Sequence, residues 1–588
     1  MKYLQAVKKK ITFVGHKDIT SIFTFVTMNI YHKSSLMALA VGSMTLAGCS
    51  SKMKDFKSEY FSCNPQPLEV VGQSVPATVT ARVPQKFFVK NAELTVTPTL
   101  KFADGELKSA PVMFEGENVR GNYPTISYAN GGTMTIPVNY VYQPEMRQSE
   151  LYLDFNVRQG NKQYVLPSVK VANGVIATAA LSDASSVTPA AAADKYQRIV
   201  NEKYKADIHF LINQANVRSG ETESEAMKAF KSDLKKAAQD TARVIEEINI
   251  SSYASPEGSL EFNTQLAENR ETNTSKYLND QLKKDKISSF GELTAQFTPE
   301  DWEGFQELVA ASDIQDKQLI LSVLSMYKDP AQREQEIRNM SSIFDQLAET
   351  ILPQLRRSRL TASVNVIGRS DEQLNEAFDT NPQVLSVDEL LYTANLTNDK
   401  ARKQAIYEAA VAQYPDDYRA YNNLANLYYA AGDYDKAKAQ LEKAKSINPT
   451  AKEVAMNEAL LAMVNNDMST AQQKLGQAAD VDGINGALGT YYLMEGDNSQ
   501  ALRAFGDTQS NNAAVAQILN KNYSAAQKIL NNVTPDATTY YLKAIVGART
   551  NNEAEVMSNL RKAISLDKNM AAQAATDLEF AAFNLSNL

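Results

Sequence analysis

The feature that most restricts this chain is a period. Pro415 and Pro449 lie 34 residues apart. Between them run Tyr418, Arg419, Tyr421, Leu424, Ala425 and Tyr428, then Gly432, Tyr434, Ala437, Leu441 and Ala444. Aromatic, Leu and small residues at these offsets give two helices one shared face, and Ala437 and Ala444 let those helices approach closely. A proline then ends the unit. Self-similarity at such a spacing means stacked helical pairs, because one pair cannot bury its apolar face alone. Weaker copies precede it at Leu390 and Ala410. Others follow at Ala471, Leu475 and Ala478; at Leu488, Gly489, Tyr492, Ala501 and Phe505; at Tyr523, Ala526 and Leu530; and at Tyr540, Ala544, Leu560 and Ala563. The pattern predicts an all-α solenoid of about six units over 384–588.

The best unit resembles a tetratricopeptide (TPR) repeat. That resemblance implies a concave groove lined by the first helix of each pair, able to hold an extended peptide or a partner helix. Arg419, Asn422, Asn426 and Tyr429 are the residues expected to face outward into it, and a protein is the expected partner.

The other end carries an address. Met28 to Cys49 gives a short basic region, an apolar stretch from Leu36 to Leu46, and then small residues. This is the order of a secretory signal, and the apolar part is too short to span a bilayer as a stable helix. Leu46-Ala47-Gly48-Cys49 resembles a bacterial lipobox. The resemblance implies cleavage before Cys49, acylation of Cys49, membrane lipid as a partner, and a place in the cell outer membrane. Residues 1–48 are thus read as a lipoprotein signal, with Met28 a candidate true start. No acidic run follows Cys49, which favours the periplasmic face over the cell surface.

Between these ends two further modules are expected. Residues 64–180 alternate polar and apolar residues, as in Ala77–Val83 and Glu150–Val157, with turn signals at Asp104-Gly105, Asn130-Gly131-Gly132 and Gly160-Asn161. Short strands at this spacing predict an all-β immunoglobulin-like sandwich. Residues 181–194 are small, with Ala190–Ala193 after Pro189, and read as a linker with little to bury. From 195 to 370 strands and helices alternate, predicting an α/β module: strands at 206–212, 244–253, 291–297 and 360–367, helices at 221–238 and 260–283, and a helical insertion at about 300–354.

Within that module, a strand over Ile248–Tyr253 runs into Ala254-Ser255-Pro256-Glu257-Gly258. A helix follows with Asn263, Leu266 and Arg270. This resembles the peptidoglycan-associating domain of the outer-membrane protein A (OmpA-like) family, whose signature is a strand, Gly-His-Thr-Asp-x-x-Gly, then Asn-x-x-Leu-Ser-x-x-Arg-Ala. Gly258, Asn263, Leu266 and Arg270 fall on matching positions. The resemblance implies capture of the diaminopimelate of a peptidoglycan stem peptide, with Arg270 as the fork for its carboxylate. The family's ligand-binding aspartate is Ser255 here, and Glu257 is the candidate replacement.

Composition narrows the function classes. The net charge is −8, and residues 1–48 hold six Lys against one Asp, so the remainder sits near −13. An acidic body without a basic stripe argues against nucleic acid. Beyond Cys49 only His209 and Cys63 remain of their types, which excludes a His/Cys zinc site within the chain, and no cofactor is expected. His209 reads as structural, Trp302 as core, and Arg356, Arg357 and Arg359 as a solvated turn. No phosphate loop, dinucleotide fingerprint or nucleophile elbow is present, so an enzyme is not expected. Two readings stay open. One is an envelope tether, with lipid at Cys49, cell wall at the α/β module and a protein on the repeats. The other is an assembly factor or subunit of a surface or secretion complex whose OmpA-like module no longer binds peptidoglycan.

Overall fold

The computed structural model describes residues 52–588 except Asp104 and Met340. The signal segment and Cys49 lie outside the described residues. Strands fill the first part of the chain and helical hairpins the last, with a mixed module between.

In the first part, alternation puts every second side chain inside: Ala77–Val83 buries Ala77, Val79, Ala81 and Val83. Ala92–Phe102 and Ser149–Gln159 pair antiparallel along their whole length, and Lys162–Asn173 joins them through a turn at Gly160, whose φ of 57° suits glycine. This six-stranded sheet faces a three-stranded one (Phe61–Asn64, Ala77–Val83, Gly132–Val138). Leu94, Phe114, Ile136, Leu153 and Phe155 fill the space between. The core begins earlier than the expected boundary at 64: Met53 is buried, and Phe56 stacks on Phe155 at 4.6 Å between centroids. Cys63 is a buried free thiol, pushed up to about 11 by burial.

The mixed module has four strands in the order Ile199–His209, Arg357–Ile367, Arg243–Tyr253, Glu292–Thr298, with only the last pair parallel. Glu225–Gln239 and Leu260–Lys284 cover one face, the first through Met227, Phe230 and Leu234 at helical spacing. The other face is polar, crossed by pairs such as Asn201–Asn365 (2.9 Å) and Asn249–Thr294 (2.9 Å). The first strand starts at Ile199, seven residues before the expected 206. Its outward residues include Lys203 and Lys205, which mask the apolar signal of an edge strand. The insertion, from Trp302–Ala311 to Leu352–Leu355, has its own core around Phe305, Val309 and Leu347. Trp302 lies at that core's edge, its indole N–H donating to Glu300 at 3.0 Å.

Six hairpins follow, from Val387–Asn395/Lys400–Gln413 to Ala537–Arg549/Glu553–Leu566. Most of their turns share one local code. Gly432, Asn466, Gly496, Lys521 and Asn551 take positive φ, and the next residue in each case is the N-cap of the second helix. Asp433, Asp467, Asp497 and Asn552 then accept a hydrogen bond from a first-turn amide.

Residues 181–194 are not a loose linker. They run as a strap, extended apart from a 3-10 turn at Ala184–Ser186, along the side formed by the first helices of the hairpins and against the direction of the repeats. Asp183 lies at Asn512 and Asp194 at Asn395. Ala184, Ala190 and Ala192 are buried there. The expectation failed because small side chains carry no burial signal of their own, whereas here the backbone is what is held. The strand-rich module docks along the later hairpins: the backbones of Gly72 and Gly496, the latter in the turn of the fourth hairpin, meet so closely that a Cβ on either would strike the other segment, and Gly174 lies against Leu578 beyond the sixth. Replacing Asn457 by Leu is expected to speed hydrogen exchange of the Ala190 amide by about a hundredfold, from the loss of about 2.7 kcal/mol of local protection. Unchanged exchange there contradicts a held strap.

Candidate functional site

Two places gather the residues singled out in the sequence, and both are already occupied by the chain itself. In the repeat groove, Asn423 reads the peptide unit of Ala192 with both amide atoms, accepting from its N–H at 2.8 Å and donating to its carbonyl at 3.0 Å. Asn457 does the same to Ala190 at 2.7 and 2.8 Å, and Asn512 to Asp183 at 3.0 and 2.8 Å. A side-chain amide matches an extended peptide unit donor for acceptor, so each clamp satisfies a backbone that no sheet or helix completes.

The four groove residues nominated from sequence join these clamps. Asn422 and Asn426 donate to the Ala190 carbonyl at 2.9 and 2.8 Å. Tyr429 donates to the Ala184 carbonyl at 2.7 Å, and burial pushes its phenol well above the usual tyrosine range. Arg419 donates to the Asp194 carbonyl at 2.9 Å while paired with Asp388 and Asp417. Arg419, Asn422 and Tyr429 are therefore buried under the strap instead of facing an open groove. Sequence reasoning missed Asn423, Asn457 and Asn512. The 34-residue spacing of the first two was the available signal.

At the end of the mixed sheet, Ser255, Glu257, Asn263 and Arg270 also come together. The loop begins where Arg243–Tyr253 ends, and Gly258 takes a φ of 104°, which glycine permits. Arg270 is fully buried. Its guanidinium donates to the backbone carbonyls of Gln214 (3.0 Å), Tyr253 (2.9 Å) and Leu211 (3.4 Å) and lies over the ring of Phe210. Burial, reinforced by nearby Arg356 and opposed by Glu257, pushes it down to about 10, so it stays charged at neutral pH. Glu257 accepts from Arg356 Nε and from the buried Ser255 hydroxyl, both at 2.9 Å. Asn263 donates to the carbonyls of Glu257 and Gly258, and Glu334 of the insertion accepts the Gly258 amide at 3.1 Å.

The arginine cluster is consequently no solvated turn. Arg356 holds Glu257, Arg357 pairs with Asp301 at 3.0 Å with both side chains nearly fully buried, and Arg359 donates to Asp207 at 3.0 Å. These carboxylates are remote in sequence, which is why the run looked unpartnered. His209 lies 3.6 Å from Glu221, and its backbone amide donates to that carboxylate. A cavity of about 490 Å³ beside the loop is lined by His209, Leu211, Ile212, Arg218 and Arg356. Arg270 does not reach it.

The tetratricopeptide repeat family model matches residues 399–464, and the C-terminal region carries repeats of that kind. Among solved structures, a tetratricopeptide repeat protein from Parabacteroides merdae is 15% identical with a TM-score of 0.28, covering 35% of this chain and 91% of that one. The pilF structure from Pseudomonas aeruginosa is 16% identical with a TM-score of 0.27, covering 36% and 98%. YrrB, described as a TPR protein with an unusual peptide-binding site, is 20% identical with a TM-score of 0.21, covering 35% and 99%. A search of curated proteins finds no match.

Exchanging Arg270 for Met is expected to lower stability by about 3 kcal/mol in urea denaturation, because three backbone carbonyls lose their donor in a buried site. A change within about 0.5 kcal/mol is the mark of an exposed arginine and contradicts this role.

Proposed function

We propose that this protein is a lipid-anchored scaffold of the bacterial cell envelope in which the OmpA-like module is a rigid body and not a peptidoglycan receptor. The repeat array makes the chain a protein-interaction scaffold. One of its interactions is internal, and that single observation carries the reading: the groove is filled by residues 181–194. Partners then meet the outer surfaces of a preassembled three-module body. The reading assigns the chain no catalytic role, metal or cofactor.

The order of strands and helices in the mixed module supports an OmpA-like body, as does the placement of Gly258, Asn263 and Arg270 around one loop. A diaminopimelate ligand needs an arginine with free donors and an uncommitted carboxylate. Here Arg270 spends its donors on backbone carbonyls and Glu257 is paired with Arg356. The two facing sheets of the first module are compatible with an immunoglobulin-like sandwich.

The lipobox at Cys49 supports the anchor. Among the described residues no helix is long and apolar enough to cross a membrane. Met53 already sits in the first core. At about 3.5 Å per residue, the four residues from an acylated Cys49 reach no more than about 14 Å. A lipid there would hold the strand-rich module against the bilayer, on the periplasmic side in this reading.

Two measurements test this. A fatty-acid probe should label the wild-type protein and leave Cys49→Ser unlabelled, and equal signals remove the anchor. The purified protein should stay in the supernatant when peptidoglycan sacculi are sedimented, and its retention overturns the rigid-body assignment.

A further inference from the structure

The seam between the strand-rich module and the end of the repeat array holds a cleft of about 970 Å³. One wall is built from the ends of the long strands and carries Lys101, Phe102 and Arg147. The other is the C-terminal cap, with Leu578, Phe583 and Leu585. Neither module makes this site alone.

Its charges are unevenly committed. Glu150 is paired with Lys170 at 2.9 Å and accepts from the Tyr152 hydroxyl at 2.7 Å. Asp577 accepts from the Tyr541 hydroxyl at 2.7 Å and from the Glu579 amide at 3.0 Å. Among the described residues neither cation of the cleft is paired with a carboxylate. Lys101 lies over the Tyr152 ring at 4.8 Å, and among the described residues it forms no ion pair. Arg147 follows the fully buried Met146, which fixes its backbone. Its Nε is buried without a hydrogen-bond partner, and its guanidinium lies beside the Tyr142 hydroxyl. A guanidinium partly withdrawn from water, with no ion pair among the described residues, is stabilised by an anion that completes it. Apolar walls around a cation that no carboxylate among the described residues pairs describe a binding site for an anion with an apolar body.

The polar rim chooses between such anions. The exposed amides of Gln148 and Asn173 line the cleft and can bond to peptide backbone, for which an acyl chain has no use, and the cleft is open to solvent along one side. We propose that this cleft captures the C-terminal segment of a protein partner, its terminal carboxylate on Arg147 and its last apolar side chains against Phe102, Phe583 and Leu585. The site lies outside the filled groove and needs both modules docked.

The test uses the purified full-length protein and the anionic apolar dye 1-anilinonaphthalene-8-sulfonate. Arg147→Gln and Leu585→Glu are each expected to weaken saturable dye binding by about tenfold with circular dichroism unchanged. A synthetic decapeptide ending in Leu-Phe with a free carboxylate should displace the dye, while its C-terminal amide and laurate should not. Undiminished dye binding in both variants overturns the proposal, and so does equal displacement by the amide. Displacement by laurate but not by the peptide overturns the peptide occupant. Should Arg147→Gln unfold the protein, Arg147→Lys decides: retained dye binding supports a cation site, and its loss in a folded Lys variant counts against it.

Discussion

A segment that joins no sheet and makes only one 3-10 turn, at Ala184–Ser186, must have most of its N–H and C=O groups satisfied one at a time, and in this protein that task falls largely to asparagine side chains. The strap over 181–194 lies inside the molecule only because Asn423, Asn457 and Asn512 each present an amide in the register of a peptide unit. Remove that matching and the strap's backbone is buried with nothing to bond to, at a cost of about 1–3 kcal/mol for each orphaned group. The alanines are as necessary as the asparagines. A larger side chain at Ala190, pressed among Asn422, Asn426 and Asn457, would push the backbone out of reach.

The relative placement of the modules follows from this. The strap leaves the strand-rich module at the C-terminal end of the array, where Thr178 donates to Glu579 and Glu579 is held by Arg549. It reaches the mixed module at the other end, where Asp194 bonds to Arg419 and Asn395 and the rings of Tyr196 and Tyr392 lie 4.7 Å apart. A flexible linker of the same length would leave two bodies free to wander. A strap bonded along its length turns the repeat array into the brace between them.

What the sequence disclosed and what it hid divide along the same physical line. The hairpins were legible because side chains carry their signal: Leu424, Ala437, Leu441 and Ala444 recur where helices touch, and all four are buried. Arg419, Asn422, Asn426 and Tyr429, expected to face an open groove, instead bond to the strap. Their occupant was invisible, since a run of Ala and Ser offers no side-chain pattern and is recognised through its backbone. The mixed module hid its ends for another reason. Lys203 and Lys205 disguised an edge strand, and the partners of Arg356, Arg357 and Arg359 come from distant parts of the chain. Gly258, Asn263 and Arg270 were found by motif, yet the motif could not say that Arg270 would turn inward onto carbonyls.

An internal ligand also sets the terms on which any rival peptide could enter the groove. A tethered segment acts at an effective concentration of about 1 mM, more when both its ends are fixed. If the strap bound as a free peptide with a dissociation constant of about 1 μM, a competitor of equal quality would see its apparent affinity fall by about a thousandfold. Displacing the strap would in addition expose the clamps and loosen both docked modules. A groove so guarded serves rigidity better than exchange. Recognition by this protein is therefore better sought on its outer faces and at the seams between modules, where the chain has left charges and apolar walls uncommitted.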